Sequence, residues 1–210
     1  GGAREAVTGF VIANELEAKR AFILAKRCAA VLAPAAALAV TSHRAQIFPV
    51  DSRGKEEEFD RIICDVPCSG DGTFRKYRDK WGHWQHHQGR QLHSLQIQIA
   101  MRAVALLKVG GLLSYSTCSL NPLEDEAVVS SILQRAGGAV EVVHCRGRLP
   151  GLKTRPGLRQ WKVLTDDMTE LASCQHARNS TAYLHVHSSR CNHPHAPDPP
   201  RNLKVTCLVT

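Results

Sequence analysis

The sequence predicts an α/β protein with a mainly parallel sheet and helices on both of its faces. Short apolar runs alternate along the chain with longer segments in which apolar residues recur at helical spacing. This order is typical of parallel strands joined by crossover helices. Of the 210 residues, 43% are apolar and 22% are charged. This composition suits one domain with a core, and it excludes collagen, a coiled-coil rod and a wholly disordered chain.

The first half of the chain predicts three strands and one helix. The first strand covers residues 10–13, and the helix follows over 15–32, where apolar side chains roughly keep helical spacing. Residues 37–40 are a weak strand prediction. Residues 59–64 are a stronger one, because two isoleucines lie inside the run.

The second half continues the alternation of strands and helices. A helix is predicted over 91–108, and Gly110-Gly111 is expected to close it as a C-cap. A buried strand follows over 112–116, and residues 140–143 are one further strand candidate.

The helix between those last two strands begins with capping signals. Asn121 can cap the helix, Pro122 suits its first position, and Glu124 falls three residues after the cap. The body of this helix is predicted to run to about Arg135, ahead of the next Gly-Gly pair.

Both ends of the chain depart from the pattern. Residues 172–210 are rich in His, Ser, Asn and Pro, and they predict a loosely ordered tail after a domain over 1–171. The first ten residues contain no Met and no apolar stretch behind a basic start, so no signal peptide is predicted. The chain is therefore expected to begin partway into a larger protein. No window approaches 18 uncharged apolar residues, so no membrane-spanning segment is expected.

The spacing of the cysteines and the net charge indicate the cellular compartment and the class of partner. The eight cysteines lie far apart and none forms a C-x-x-C pair, which favours an intracellular, reduced protein. The net charge is +8, and residues 144–210 carry ten Lys and Arg against four Asp and Glu. A basic surplus favours a polyanionic partner such as nucleic acid, or it serves only solubility.

Candidate site residues follow the predicted strands, at the edge where open α/β sheets bind ligands. Glu15 follows the first strand, Asp65 and Cys68 follow the strand with the two isoleucines, and Cys118 follows the next strand. The Glu15 carboxylate either accepts bonds from the hydroxyls of a ribose or, more simply, stabilises the first turn of its own helix.

The two cysteines also leave alternatives open. An isolated Cys68 or Cys118 is expected to be a small core residue. Two thiols at adjacent strand ends can instead act on one electrophilic carbon, one adding to it while the other assists its release. Each would react as the thiolate. Pro67 and the glycines around Cys68 shape the loop that presents its thiol.

Two further segments combine residues that bind ligands in other proteins. Residues 75–81, with the sequence RKYRDKW, and Trp84 either hold a phosphate backbone and stack bases, or form a solvated loop with the tryptophans tucked inward. The tail contains cysteines and histidines whose spacing matches no common zinc pattern, so no metal site is predicted. These residues are Cys174, His176, His185, His187, Cys191, His193 and His195.

Two motifs together resemble the RsmB/NOP-type, or Nol/Nop/Sun, family of RNA cytosine-5 methyltransferases. They are DVPCSGDGT at 65–73 and YSTCSLNPLEDEA at 115–127. The segments GFVIANELEAKR at 9–20 and LPGLKTRPGLRQWKV at 149–163 are similar to the eukaryotic branch that methylates tRNA and other RNAs. The resemblance spans roughly residues 9–165. DNA cytosine methyltransferases carry only the cysteine of the P-C motif.

The resemblance implies a Rossmann-like fold that methylates RNA, with tRNA the expected substrate and S-adenosyl-L-methionine the cofactor. It implies that Cys118 adds to C6 of a cytosine, so that C5 takes the methyl group, and that Cys68 assists release of the methylated RNA. It also implies that Glu15 binds the cofactor ribose and that Asp65 lies near the cofactor and the target base. The target must leave its stack, so a loop or a flipped nucleotide is expected.

The resemblance further implies that RNA is the partner. A nuclear or nucleolar monomer is expected, with neither a metal nor a membrane as a partner. The chain departs from the family in two places. The glycine-rich cofactor loop and the first strand that carries it should precede residue 9, and no such motif is present. Ser42-His43-Arg44-Ala45 stands where the family has Asn-His-Asp-Ala, and Arg44 cannot accept the adenine hydrogen bond. The alternative to a methyltransferase is therefore a catalytically inactive RNA-binding remnant with an incomplete cofactor site.

Overall fold

In the computed structural model the chain forms two compact units, Gly1–Pro49 and Val50–Thr210. The structure describes residues 9–32, 37–49, 59–143, 151, 153, 155–158, 160–162, 169–170 and 203–207. Both units contain parallel strands with helices between them in sequence, which confirms the predicted α/β class.

The first unit pairs two strands with one helix between them. Its elements are β1 (Val11–Asn14), α1 (Ala18–Leu32) and β2 (Leu38–Thr41). The strands pair in parallel along their whole length. The Asn14 side chain fixes their carboxyl ends, because it accepts hydrogen bonds from the Thr41 hydroxyl (3.1 Å) and the His43 N–H (2.9 Å) and donates to the His43 carbonyl (2.9 Å).

The second unit contains a four-stranded parallel sheet in the order β3-β4-β6-β5. Its elements are β3 (Phe59–Asp65), α2 (His87–Leu106), β4 (Leu107–Ser116), α3 (Glu126–Arg135), β5 (Val140–Val142) and β6 (Leu203–Cys207). The strongest pairing joins β3 to β4, and it brings Asp65 opposite Ser116 at the carboxyl ends of both strands. Loops that leave these two strands therefore start side by side.

The core of the second unit lies between this sheet and its helices. Side chains along β4 alternate, with Leu113 and Tyr115 fully buried. Val128 and Ile132 of α3 are buried as well, and α2 packs against both α3 and the sheet. Ile63 on β3 is 80% exposed, so among the described residues one face of β3 is covered and the other is open.

The glycine pair after α2 has a different role from the one predicted. The expected C-cap at Gly110-Gly111 is wrong, because the backbone is already extended at Leu107 and β4 begins there. Between the pairs Phe59–Leu107 and Arg61–Leu112, β4 advances five residues while β3 advances two. The glycines therefore lie in a bulge that absorbs the extra length.

The tail contributes one strand that the sequence pattern did not predict. β6 pairs with β4 on one side and with β5 on the other, although residues 203–207 fall inside the segment expected to be loosely ordered. Its sequence, LKVTC, is short and lies apart from any helical pattern. For residues 172–202, which lie outside the described ranges, the loosely ordered tail stays a prediction.

Candidate active site

The loops after β3 and β4 bring two thiols together. The Sγ atoms of Cys68 and Cys118 are 3.2 Å apart, and the Cys118 N–H points to Cys68 Sγ at 3.3 Å. Cys118 is exposed and Cys68 is half-buried, and neither forms a disulfide. The alternative in which both are ordinary core cysteines does not fit this placement.

Backbone contacts hold the two loops against each other. The Gly72 N–H donates to the Cys118 carbonyl at 3.1 Å, and the Leu120 N–H donates to the Asp71 carboxylate at 2.8 Å. The approach at Gly72 is so close that a Cβ there would lie 2.8 Å from the Cys118 carbonyl oxygen. A glycine is therefore required at this position for steric reasons.

A buried carboxylate lies beneath both loops. Glu124 is fully buried, and its oxygens accept hydrogen bonds from the Ser69 N–H (2.8 Å), the Ser69 hydroxyl (2.5 Å), the Ser119 hydroxyl (2.8 Å) and the Gln96 amide (3.0 Å). The sequence assigned Glu124 to helix capping. The structure begins α3 two residues later, while Asn121 does cap a turn by accepting from the Leu123 N–H (3.1 Å).

A second buried acid lies next to Glu124 in sequence. Asp125 accepts a hydrogen bond of 2.6 Å from the hydroxyl of Thr117, the residue before Cys118. Thr117 and Ser119, on either side of the exposed cysteine, are therefore each held by an acid of one short segment. Sequence reasoning missed these roles, although two adjacent acids after T-C-S-L-N-P were visible as a signal.

The protonation of Cys68 follows from its surroundings. Burial, together with the hydrogen bond to Cys118, raises the pKa of the Cys68 thiol to about 12. Cys68 therefore keeps its proton at neutral pH and can donate it to the sulfur 3.2 Å away. The exposed Cys118 is the sulfur that a substrate can reach.

The predicted acids lie at strand ends as expected. Asp65 ends β3, is exposed, and lies 3.5 Å from the Ser116 hydroxyl. Glu15 follows β1 in the first unit, where its carboxylate pairs with Arg20 (2.9 Å) and accepts from the Glu17 N–H (3.1 Å). These contacts agree with the simpler interpretation, in which Glu15 stabilises the start of its own helix. Its convergence with the cysteines stays a prediction.

The two tryptophans in and after the RKYRDKW segment differ in their exposure. Trp81 is 72% exposed and meets Phe74 edge-on at 4.9 Å, whereas Trp84 is half-buried with its indole nitrogen enclosed. Lys80 places its ammonium over the Tyr77 ring, 5.4 Å from the centroid. The interpretation as an inward-tucked loop therefore holds for Trp84 and not for Trp81.

Lys80 also brings a positive charge to the thiol pair. A Cβ built on Gly70 would lie 3.1 Å from Lys80 Nζ and 3.6 Å from Cys118 Sγ. The ammonium and the exposed sulfur therefore border the same small space at Gly70.

The described residues meet the requirements of neither a metal site nor a membrane-spanning helix. No group of three or more His, Cys, Asp or Glu among the described residues could hold a metal ion. No helix among them is long and apolar enough to cross a membrane. The side chains of the cysteines and histidines in the tail lie outside the described residues.

Asp125 predicts a pH-dependent stability. Burial raises the pKa of the Asp125 carboxyl from 3.8 to about 7, against the opposing effect of the Thr117 hydrogen bond. The pKa of this carboxyl is higher in the folded than in the unfolded state. Its contribution to the free energy of unfolding is therefore fully present below pH 4 and is lost as the pH rises to 7. The slope approaches about 1.4 kcal/mol per pH unit. Urea unfolding across this range should show the slope in the wild type and its loss in Asp125→Asn.

The neighbouring Glu126→Gln substitution is the control for this measurement. Glu126 is partly exposed and accepts a hydrogen bond from the Leu158 N–H (2.7 Å), which the amide oxygen of Gln can also accept. Glu126→Gln removes one of the charges that raise the pKa of Asp125, but burial is the largest cause, so this variant should retain most of the wild-type slope. A slope that persists in Asp125→Asn contradicts the assignment to Asp125.

Comparison with known proteins matches most of the described residues to RNA methyltransferases. The family model described as 16S rRNA methyltransferase RsmB/F matches residues 5–148. The multisite-specific tRNA:(cytosine-C(5))-methyltransferase trm4b of Schizosaccharomyces pombe is 44% identical over 183 residues, or 80% of this chain and 26% of that protein. The tRNA (cytosine(34)-C(5))-methyltransferase of Drosophila melanogaster is 42% identical over 78% of this chain and 22% of its own length.

More distant proteins are similar to this chain in sequence or in fold. Ribosomal RNA small subunit methyltransferase F of Shewanella loihica is 35% identical over 68% of this chain and 28% of its own length. The crystal structure of PH0851 superposes with a TM-score of 0.54 at 24% identity, over 60% of this chain and 28% of that one. The chain spans about a quarter of the length of the curated relatives named here.

Proposed function

This chain belongs to the 16S rRNA methyltransferase RsmB/F family, and on that premise we propose that it methylates C5 of cytosine in RNA, with tRNA as the substrate class. The observation that carries the proposal is the 3.2 Å separation of the Cys68 and Cys118 sulfurs, with Cys118 exposed and Cys68 half-buried. Relatives at 42–44% identity are named as tRNA cytosine-C(5)-methyltransferases. The identity to the bacterial rRNA enzyme is lower, at 35%.

In the proposed mechanism Cys118 is the nucleophile. Its Sγ, as the thiolate, forms a bond to C6 of the flipped cytosine, and the C5–C6 electron pair makes C5 nucleophilic. S-adenosyl-L-methionine, when bound, supplies the methyl group that C5 accepts. Loss of the C5 proton to solvent then restores the C5=C6 double bond, and the electron pair of the C6–S bond leaves with Cys118.

Cys68 assists that last step. Its thiol keeps its proton at neutral pH and lies within hydrogen-bond range of the departing sulfur. Donation of this hydrogen bond stabilises the Cys118 thiolate as it leaves C6, which is the work of a general acid. Without Cys68 the covalent complex should form and then persist.

The cofactor would be held by acids at strand ends. Glu15 and Asp65 each follow a parallel strand and offer carboxylate oxygens, which suits the hydroxyls of a ribose and the polar groups of the target base. Glu15 would exchange its contact with Arg20 for the ribose. Arg44, by contrast, is exposed and has no acceptor for an adenine amine.

Arg44 favours a second candidate function, a catalytically inactive RNA-binding remnant. The two functions differ in whether the chain binds S-adenosyl-L-methionine. Saturable binding in a calorimetric titration supports the enzyme, and absence of binding by a folded chain supports the remnant. Appearance of 5-methylcytosine in unmodified tRNA incubated with chain and cofactor, and its absence with Cys118→Ala, tests the enzymatic function directly.

The exposed aromatic residues on either side of Lys80 in the RKYRDKW segment support RNA as the partner. Trp81 and Tyr77 offer ring faces for unstacked bases, and Lys80 offers a charge for a phosphate. Because stacking on one aromatic side chain is worth about 1–3 kcal/mol, Trp81→Ala should weaken binding of a single-stranded RNA about tenfold. Trp81→Phe, which keeps a ring, should lose much less. Equal RNA affinity of Trp81→Ala and the wild type, measured by fluorescence anisotropy, contradicts this role.

Location and assembly complete the proposal. We propose a nuclear or nucleolar location, because the net charge of +8 suits a protein whose partner is nucleic acid. Imaging of the tagged chain in a eukaryotic cell tests this location. A monomer in sedimentation, with or without RNA, is the expected assembly.

A further inference from the structure

We propose that Glu124 is a positioning residue, which holds Cys68 and Cys118 at the separation that attack and release require. The inference rests on the proposed function, because it assigns Glu124 a part in the same reaction. Glu124 is fully buried, so it touches neither RNA nor cofactor and acts only through the residues it binds.

Each cysteine is followed by a serine that donates to this carboxylate. Ser69, after Cys68, donates its N–H at 2.8 Å and its hydroxyl at 2.5 Å. Ser119, after Cys118, donates its hydroxyl at 2.8 Å. The two serine hydroxyls are themselves 3.3 Å apart. One carboxylate therefore spans both loops, directly behind the thiol pair.

The third anchor is helix α2. Gln96, which is fully buried, donates to Glu124 at 3.0 Å and to the Pro67 carbonyl at 2.9 Å. The loop of Cys68 is thereby tied to α2 on one side of the cysteine and to Glu124 on the other. These contacts fix the Cys68 loop against helix α2 of the second unit.

The chemistry of the site requires a carboxylate. The two carboxylate oxygens of Glu124 contact only hydrogen-bond donors: a backbone N–H, two hydroxyls and an amide. An ionised carboxylate only accepts, whereas the amide of Gln would direct two N–H groups against these donors. Glu124→Gln keeps the shape of the side chain and removes the complementarity, leaving buried donors unsatisfied.

The test is the rate at which diamide oxidises the cysteine pair, because a disulfide forms only when the two sulfurs meet. The thiols of Cys68 and Cys118 give two electrons and two protons to the diazene of diamide, which becomes a hydrazine. Peptide mapping identifies the linked pair. Neither RNA nor cofactor is needed, so the result does not depend on methyl transfer.

We expect Glu124→Gln to slow disulfide formation about tenfold, whereas Glu126→Gln, the same change two residues away, leaves the rate unchanged. Protection of the buried Cys64 from iodoacetamide shows that the variants remain folded. General destabilisation would expose Cys64, which a positioning role does not do. A wild-type oxidation rate in folded Glu124→Gln overturns the proposal.

A second variant serves if Glu124→Gln fails to fold. Ser119→Ala removes one donor and keeps the carboxylate, so it should slow oxidation several-fold, and an unchanged rate overturns the proposal. If the wild-type chain transfers no methyl group to tRNA but its variants oxidise more slowly, the positioning role is upheld and the proposed function is rejected. If the chain transfers methyl groups rapidly but substitution of Glu124 does not change the oxidation rate, the proposed function is upheld and the positioning role is rejected.

Discussion

Cys68→Ala should accumulate a covalent protein–RNA complex that survives denaturation when the chain is mixed with tRNA and S-adenosyl-L-methionine. Cys118 can still form its bond to C6, but the hydrogen bond that Cys68 donates across 3.2 Å is lost. General acid assistance of this kind contributes about a hundredfold to ten-thousandfold in rate. Turnover should therefore fall by at least about a hundredfold while the complex appears on a denaturing gel.

Two further variants serve as controls for this result. The Cys68→Ala/Cys118→Ala double variant should form no complex, because no sulfur remains at the attacking position. Cys28→Ala, the same chemical change in the first unit, should behave as the wild type, since Cys28 lies on α1. A complex that survives loss of Cys118 contradicts the assignment of the nucleophile.

The second large effect is expected at Gly72. A Cβ on Gly72 would lie 2.8 Å from the Cys118 carbonyl oxygen, which belongs to the backbone and cannot rotate away. The loops must then separate, and a displacement of about 1 Å at a reacting group can cost a hundredfold in rate. Gly72→Ala should thus lower kcat/KM for methyl transfer by about that factor, although every reacting side chain is retained.

A glycine farther along the same connection between β3 and α2 provides the matched control. A Cβ on Gly82 would meet no atom within 4 Å beyond its own chain neighbours, so Gly82→Ala should leave kcat/KM unchanged. Circular dichroism establishes that both variants are folded. Wild-type kcat/KM in Gly72→Ala would mean that the spacing of the two loops does not limit the reaction.

Much of the site followed from the sequence because strand ends are easy to place. The carboxyl ends of β3 and β4 were predicted almost to the residue, and parallel strands bring these ends to one edge. Cys68 and Cys118, a few residues beyond those ends, were therefore expected near each other. Sequence patterns predicted the convergence of the thiols, whereas their 3.2 Å separation depends on packing.

The features that the sequence did not predict depend on contacts between residues far apart in the chain. Glu124 matches a capping pattern locally, and only folding brings it against Ser69, 55 residues earlier in the chain. β6 lies inside a sheet, and its five residues alternate apolar and polar as a strand does, but so short a run within a polar segment does not reveal its long-range pairing with β4 and β5. Gly110-Gly111 resembles a helix end, yet β4 begins before it and absorbs the pair as a bulge.

The central claim is that Cys118 attacks the base and Cys68 releases it. The most direct measurement is tandem mass spectrometry of the covalent complex trapped with Cys68→Ala and, separately, of any complex trapped with Cys118→Ala. We expect a nucleotide attached to the peptide containing Cys118 in the first variant and no complex in the second. A nucleotide attached to Cys68 in Cys118→Ala would reverse the two roles.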